Sequence, residues 1–410
     1  MWGRPFALWW LRLGRAWLIL NLGAIDGWAM VRVILWVAVL WGIIAPLCLA
    51  EPVALAAPKT LRIATFNVDL SRRGPGLLYG ALQKGGDAQI AAVQAQIAHV
   101  RPDVLLLTGF DYDAGGAALA AFAQGLESRG VRYPHRFARR PNTGMASGLD
   151  LDGDGRLGGA GDAQGWGRFA GANGMALLSH FAIRDDLAND FSEFLWQDLP
   201  GALVPQREGQ PFPSAMARAA QRLPTTGHWD VPIELPSGHL LSLWAFYASP
   251  PVFDGPEDRN GLRNHDETAF WLRYLGGDLP QKPRLGPFVV LGDINLDPYD
   301  GDGRPEALRA LLGHPLLQDP APESPGGAAA GTALANAGHI GRAALDTASW
   351  PNPTGPGNLR LDYVLPSVDL QVLAAGVFWP APDAPVAALL QGADGPASPH
   401  RLVWVDVVMP

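Results

Sequence analysis

The chain has 410 residues, more than one average domain needs and enough for a single large α/β domain. Hydrophobic residues make up 48% and charged ones 17%, against a usual charged share of roughly 25%, which excludes a disordered chain because such a chain lacks the apolar mass to collapse. A net charge of −8 argues against attachment to nucleic acid through overall charge, and one cysteine excludes an intramolecular disulfide framework or a cysteine-cluster metal site.

The first fifty residues stand apart. They contain seven of the 15 tryptophans, four arginines and a single acid, Asp26. From Val33 to Ala50 the run VILWVAVLWGIIAPLCLA carries no charge; Arg32 precedes it and Ala54-Leu55-Ala56 follows as a small-x-small pattern. A basic start, an apolar centre and a small-residue exit are the layout of a secretory signal. Residues 1–56 are therefore expected to be an N-terminal signal, and the protein to be periplasmic or secreted. Met30-Val31-Arg32 would make an ordinary start for it. The alternative is an uncleaved membrane anchor with the rest of the chain outside the cytoplasm, since about 18 apolar residues nearly span a bilayer. Membrane contact would then run through this segment alone.

Residues 57–410 read as one domain, with 49 glycines and 37 prolines in the whole chain pointing to many turns. Leu61–Val68 alternates and is β-branched, like a strand. Asp87–Val100 has apolar residues at helical spacing, opens on an Asp cap and stops before Arg101-Pro102. Val104–Leu107 predicts a short buried strand, and further strands are expected at Met175–Ser179, Leu240–Phe246, Pro287–Leu291, Leu361–Leu365 and Leu402–Val408. Asn264–Leu275 and Pro305–Leu312 look helical, and the low-complexity stretch Ala321–Ala335 reads as a surface loop. Alternating strands and helices imply α/β, and the number of short strands suggests two sheets.

Several strand signals end in Asp, Asn and His. Phe66-Asn67-Val68-Asp69 ends the first, Gly292-Asp293-Ile294-Asn295 ends a hydrophobic one, Leu361-Asp362-Tyr363 lies within another, and His400-Arg401 precedes the last. Oxygen donors and one imidazole gathered at strand ends suit a hard cation such as Mg²⁺, which polarises a phosphoryl oxygen while Asp and His handle protons. Each signal alone is also that of a turn.

In order and spacing these motifs resemble the endonuclease/exonuclease/phosphatase family: TFNVD, RPDVLLL, LGDINLDP, LDYVLP and SPHR span residues 61 to 401. The resemblance implies a four-layer α/β sandwich, two packed mixed β-sheets flanked by helices, and hydrolysis of a phosphate ester with Mg²⁺ or Mn²⁺. It places Asn67 and Asp69 at the metal end. Asp293 would orient or deprotonate the attacking water, Asn295 hold a phosphate oxygen, Asp362 fix the ring of His400, and His400 stabilise phosphoryl charge. Three positions depart from the family. Thr108-Gly109 stands where it usually has Gln-Glu or Asn-Glu, Tyr247 stands for a His, and Pro399 for an Asp. Asp111, two residues after Gly109 and so on the same side of an extended strand, is a candidate replacement metal ligand.

Two other clusters stand out. Asp150, Asp152 and Asp154 alternate with glycines like the start of a Ca²⁺ loop, although no Glu stands at the twelfth position. Pro250–Glu267 is too polar for core, and its Arg259, Asn260 and Arg263 could bind a phosphate, unless the neighbouring acids absorb the arginines. The expected function is that of an exported metal-dependent phosphoesterase. Acidic charge favours a small phosphoester or lipid headgroup over long nucleic acid. The alternative is a catalytically silent member of the family that serves as a binding module.

Overall fold

The computed structural model describes residues 59–410 except 353 and 394. The signal or anchor expected over 1–56 lies outside the described residues. Among the described residues no helix is long and apolar enough to cross a membrane.

In chain order the strands are β1 (Thr60–Asn67), β2 (Val104–Phe110), β3 (His135–Phe137) and β4 (Gly174–Ser179). Then come β5 (Ala182–Ile183), β6 (Asn189–Asp190), β7 (Gln206–Arg207) and β8 (Gln210–Pro211). The second half of the chain adds β9 (His228–Glu234), β10 (Leu240–Tyr247), β11 (Phe288–Asp293) and β12 (Ala348–Trp350). Last are β13 (Gly357–Leu359), β14 (Asp362–Pro366), β15 (Val372–Val377) and β16 (Val403–Val408). One six-stranded sheet runs β15-β16-β1-β2-β4-β3; the other runs β14-β11-β10-β9-β5, with β6 also on β9. Both mix parallel and antiparallel pairs.

Alternation along the second sheet divides its two faces. Leu243, Ala245, Val289, Leu291 and Val364 share one apolar cluster with Ile63, Phe66 and Leu106 of the first sheet. The intervening residues Trp244, Phe246, Val290, Tyr363 and Leu365 join a separate cluster with Phe270, Trp271, Tyr274 and Leu308. Period-two side chains thus place one row between the sheets and the next row under the helices Arg259–Leu275 and Glu306–Leu312. Leu78, Ile97, Phe122 and Leu126, from the helices Leu77–Lys84, Ala88–Val100 and Ala117–Glu127, join the first-sheet core. The result is the four-layer sandwich. Each fully buried Leu, Ile or Phe contributes about 1.5–3 kcal/mol to it.

The Asp87 cap behaves as its sequence indicates, accepting from Ile90 N at 3.0 Å. Ala321–Ala335 departs from expectation. It holds a helix, Pro325–Ala330, capped by Ser324 and seated closely against Trp379: a Cβ on Gly326 would lie 2.1 Å from that ring. Glycine content there reflects close approach, not looseness. Strand β9 carried no clear sequence signal, because Asp230 and Pro232 interrupt its apolar pattern.

Candidate active site

The β10/β11 and β11/β14 registers set Tyr247 beside Asp293 and Asp293 beside Asp362. All three share the parity of Leu243, Leu291 and Val364, so they form one row turned toward the first sheet. From the end of β1, Asn67 Nδ2 donates to Asp293 Oδ2 at 2.8 Å and to Tyr247 Oη at 3.3 Å, bridging the two sheets. Asn295 N donates to the other Asp293 oxygen at 2.9 Å, while its amide donates to Ala248 O. Asn295 sits at φ 54, a left-handed turn that asparagine tolerates.

His400 closes the row. Its Nδ1 lies 2.9 Å from Asp362 Oδ2 and 3.8 Å from Asp293 Oδ2. Thr347 Oγ1 donates to the same Asp362 oxygen at 2.8 Å and accepts from Asp362 N at 3.0 Å. Ser398 Oγ donates to Asn67 O at 2.7 Å and accepts from His400 N at 3.0 Å, tying the His400 turn to β1. Burial opposes charge on the imidazole, but Asp362 and Asp293 outweigh it and raise His400 to about 9. Burial also pushes Asp293 above the usual carboxylate range, with the His400 charge working against it. The two shifts favour a proton held on His400 and shared with the acids beside it.

Asp293, Asp362 and His400 each offer a ligand atom within 4.8 Å of the others. Asp362 Oδ1 is buried and makes no hydrogen bond among the described residues. An orphaned carboxylate oxygen is costly unless a cation or donor completes it, so the Asp293–Asp362 pair fits a divalent cation.

The residues expected at the metal end are arranged differently. Asp69 is exposed at φ 49, and its N–H donates to Asn67 Oδ1 at 3.1 Å. Asn67 spends its amide on protein partners. Asp111 is a buried anchor: it accepts from Ser71 Oγ at 2.6 Å, Arg72 N at 2.8 Å and Asn173 N at 3.0 Å. The alternation that put Asp111 on the face of Gly109 fails because β2 shifts register between Thr108 and Phe110, with Gly109 at φ 70. A Cβ at Gly109 would meet Asn67 Oδ1 at 2.4 Å. The space that a family Glu would enter is taken by Asn67.

In the suggested Ca²⁺ loop, the converging carboxylates are Asp150, Asp152 and Asp162. Asp154 is not among them; it accepts from Arg156 N at 2.7 Å. Asp162, one position beyond the expected twelfth, is buried and accepts from Leu151 N and Gly159 N. The phosphate-binding expectation for Arg263 is corrected as well. Its Nε and Nη2 donate to the carbonyls of Leu223, Gln164, Arg222 and Pro224, so it staples loops together. Arg259 donates to Leu151 O, and Asn260 Nδ2 to Val252 O at 2.7 Å. All three still line a cavity of about 490 Å³ that reaches Asn173, Tyr247 and Asn295. Thr347 and Asn173 carry no sequence signal of their own; Ser398 was legible only as part of SPHR, and Tyr247 only as a missing His.

The chain matches the endonuclease/exonuclease/phosphatase family model over residues 64–400. An endonuclease/exonuclease/phosphatase structure from Beutenbergia cavernae is 17% identical, over 86% of this chain and 72% of that one, at a TM-score of 0.49. A Bacteroides thetaiotaomicron mannosyl-6-phosphatase is 12% identical, over 85% of this chain and 100% of that one, at 0.44. Sphingomyelinase C from Streptomyces griseocarneus is 14% identical, over 85% and 99%, also at 0.44. No curated protein matches the chain significantly. With its family pattern running through both sheets and ending at His400, the chain belongs to the endonuclease/exonuclease/phosphatase family, whose members are hydrolases of phosphoesters and generally need a divalent metal.

Proposed function

We propose that the protein hydrolyses a phosphoester at the Asp293–Asp362–His400 row, with Mg²⁺ or Mn²⁺, outside the cytoplasm. One observation carries the reading: an imidazole 2.9 Å from one buried carboxylate and 3.8 Å from another. Asp293 and Asp362 would hold the cation, with Asp69 at the rim; when bound it supplies positive charge against the phosphoryl oxygens. Asn67 and Asn295 fix Asp293 so that it can orient the attacking water. Asp362, itself set by Thr347, fixes the His400 ring, and the His400 imidazolium neutralises charge on the transferred group. Tyr247 Oη accepts from Asn67 and, at 3.2 Å, from Asn173, so its own hydrogen is free to donate to a phosphoryl oxygen. Burial raises the phenol far above its ordinary range and keeps that hydrogen in place.

The acidic chain favours a small phosphoester or lipid headgroup over long nucleic acid. The Val33–Ala50 run supports export, by cleavage or as an anchor. The absence of carboxylates at Gly109 and Pro399 favours the second reading, a catalytically silent binding module. Hydrolysis of bis(4-nitrophenyl) phosphate by the purified protein, with Mg²⁺, with Mn²⁺ and after chelation, decides between them. Metal-dependent turnover lost in His400→Ala supports the enzyme. No turnover with either metal leaves the module.

A further inference from the structure

The cavity of about 490 Å³ beside the row has chemistry that the phosphoryl step does not use. Its inner end is Tyr247 and Asn295, which are hydrogen-bonded to Asn67 and Asp293. Its mouth carries Trp166 and Phe253, 60% and 88% exposed, with Phe253 held at φ 70. Two large aromatic faces left in water at the mouth of one cavity are unusual for residues whose transfer out of water is favourable.

The wall between these ends is polar. Among the described residues, Asn173 Oδ1, Asn295 Oδ1, Gln221 Oε1 and Thr226 Oγ1 make no hydrogen bond, although the amide nitrogens of Asn173, Asn295 and Gln221 do. Arg263 likewise uses Nε and Nη2 but not Nη1. The wall therefore offers free groups of both kinds, amide and hydroxyl acceptors beside unused N–H groups of Arg259 and Arg263. A hydrocarbon chain filling this space would strip water from them and return nothing, at a cost for each. A ring that carries hydroxyl or N–H donors would satisfy the acceptors and lay its face on an aromatic side chain. The volume suits a group of that size, within the roughly 300–1,000 Å³ of small-molecule sites.

We propose that this cavity is the subsite for the alcohol part of the substrate, and that it takes a compact ring bearing hydrogen-bond donors, as in a sugar or nucleoside phosphate, in preference to a lipid chain. The assignment rests on the phosphoester-hydrolase reading, since the phosphate of such a ligand would lie at Asp293 and His400. The distinguishing measurement is calorimetric binding of three phosphomonoesters of equal charge to the full chain: glucose 6-phosphate, adenosine 5′-monophosphate and hexyl phosphate. At least one ring ester is expected to bind five- to tenfold more tightly than hexyl phosphate. Trp166→Ala should weaken that ring ester by about the same factor, the usual yield of one stacked ring, and leave hexyl phosphate within about twofold. The tighter ring ester identifies sugar or nucleoside. Equal binding of all three, no binding of any, tighter hexyl phosphate, or an unchanged Trp166→Ala overturns the subsite. Turnover of bis(4-nitrophenyl) phosphate, measured in parallel, separates the two claims. Ring preference without turnover removes the hydrolase reading and keeps the subsite, whereas turnover without ring preference does the reverse.

Discussion

The two halves of the site are built on different principles. On the second sheet, Tyr247, Asp293 and Asp362 are neighbours because three strands are hydrogen-bonded in register. Shifting any one of them would flip its whole strand to the other face, so the row is as rigid as the sheet. On the first sheet, Asn67, Gly109 and Asp111 sit at a bulge and a strand end, and their polar atoms are committed to Asp293, Asp69 N, Ser71 and Arg72. The second-sheet row leaves a carboxylate oxygen of Asp362 without a partner among the described residues, whereas on the first sheet the polar side chains are spent on holding the fold. Charge that a loop supplies is easily exchanged for hydrogen bonds, while geometry that a sheet supplies is not.

The largest effect should come from the charge that closes the row. His400→Ala is expected to reduce turnover of an aryl phosphodiester roughly hundredfold or more, the usual scale for losing a preorganised charge in a buried site. It also leaves Asp293 and Asp362 facing each other without a counter-charge, so thermal unfolding should fall in the same variant. Steady-state kinetics and a melting scan measure both.

Next is the first-sheet half. Gly109→Glu restores a carboxylate on paper, yet its Cβ enters Asn67 Oδ1 at 2.4 Å from a φ of 70. We expect lower turnover and a stability loss of roughly 3 kcal/mol from backbone strain and overpacking. Urea unfolding reads the second, and a gain in turnover would show that the family Glu still has room. Asp111→Ala should cost about 2–3 kcal/mol, since Ser71 and two backbone N–H groups lose their acceptor. Affinity for Mn²⁺, followed by calorimetry, should stay unchanged. A large drop would return Asp111 to the metal site.

The smallest effect tests the support behind the row. His228 is buried between Phe246, Phe270 and Trp271, with Nε2 at 2.9 Å from Glu267 O and Nδ1 without a partner among the described residues. Burial lowers it to about 4, only partly offset by backbone hydrogen bonding. Below the unfolded value of about 6.5 the unfolded chain binds a proton that the native state refuses. Stability then falls as pH drops through that window, by about 2 kcal/mol at about pH 5. Urea unfolding near pH 7.5 and pH 5 should show this slope in the native sequence and a shallower one in His228→Phe. Equal slopes would mean that the acid response arises elsewhere.

Much of the fold was legible because it is written locally. The Asp87 cap, the apolar run at Val104 and the alternation of β1 are properties of a few consecutive residues, and the backbone's periods of 3.6 and 2 convert them directly into helix and strand. The order of TFNVD, LGDINLDP, LDY and SPHR likewise pointed to Asp293, Asp362 and His400 before any contact was known. What tertiary structure decided are matters of pairing across distance. Asn67 meets Asp293 across 226 residues of chain, and Thr347 reaches Asp362 because its segment pairs with the His400 turn. Arg263 looked like a phosphate ligand until four carbonyls surrounded it. Gly109 looked like a vacancy until the bulge put Asn67 in the space. A side chain's type and period are set by its own sequence, but its partner is set by how two sheets stack, and at this site the partner decides whether a polar group binds a ligand or holds the fold.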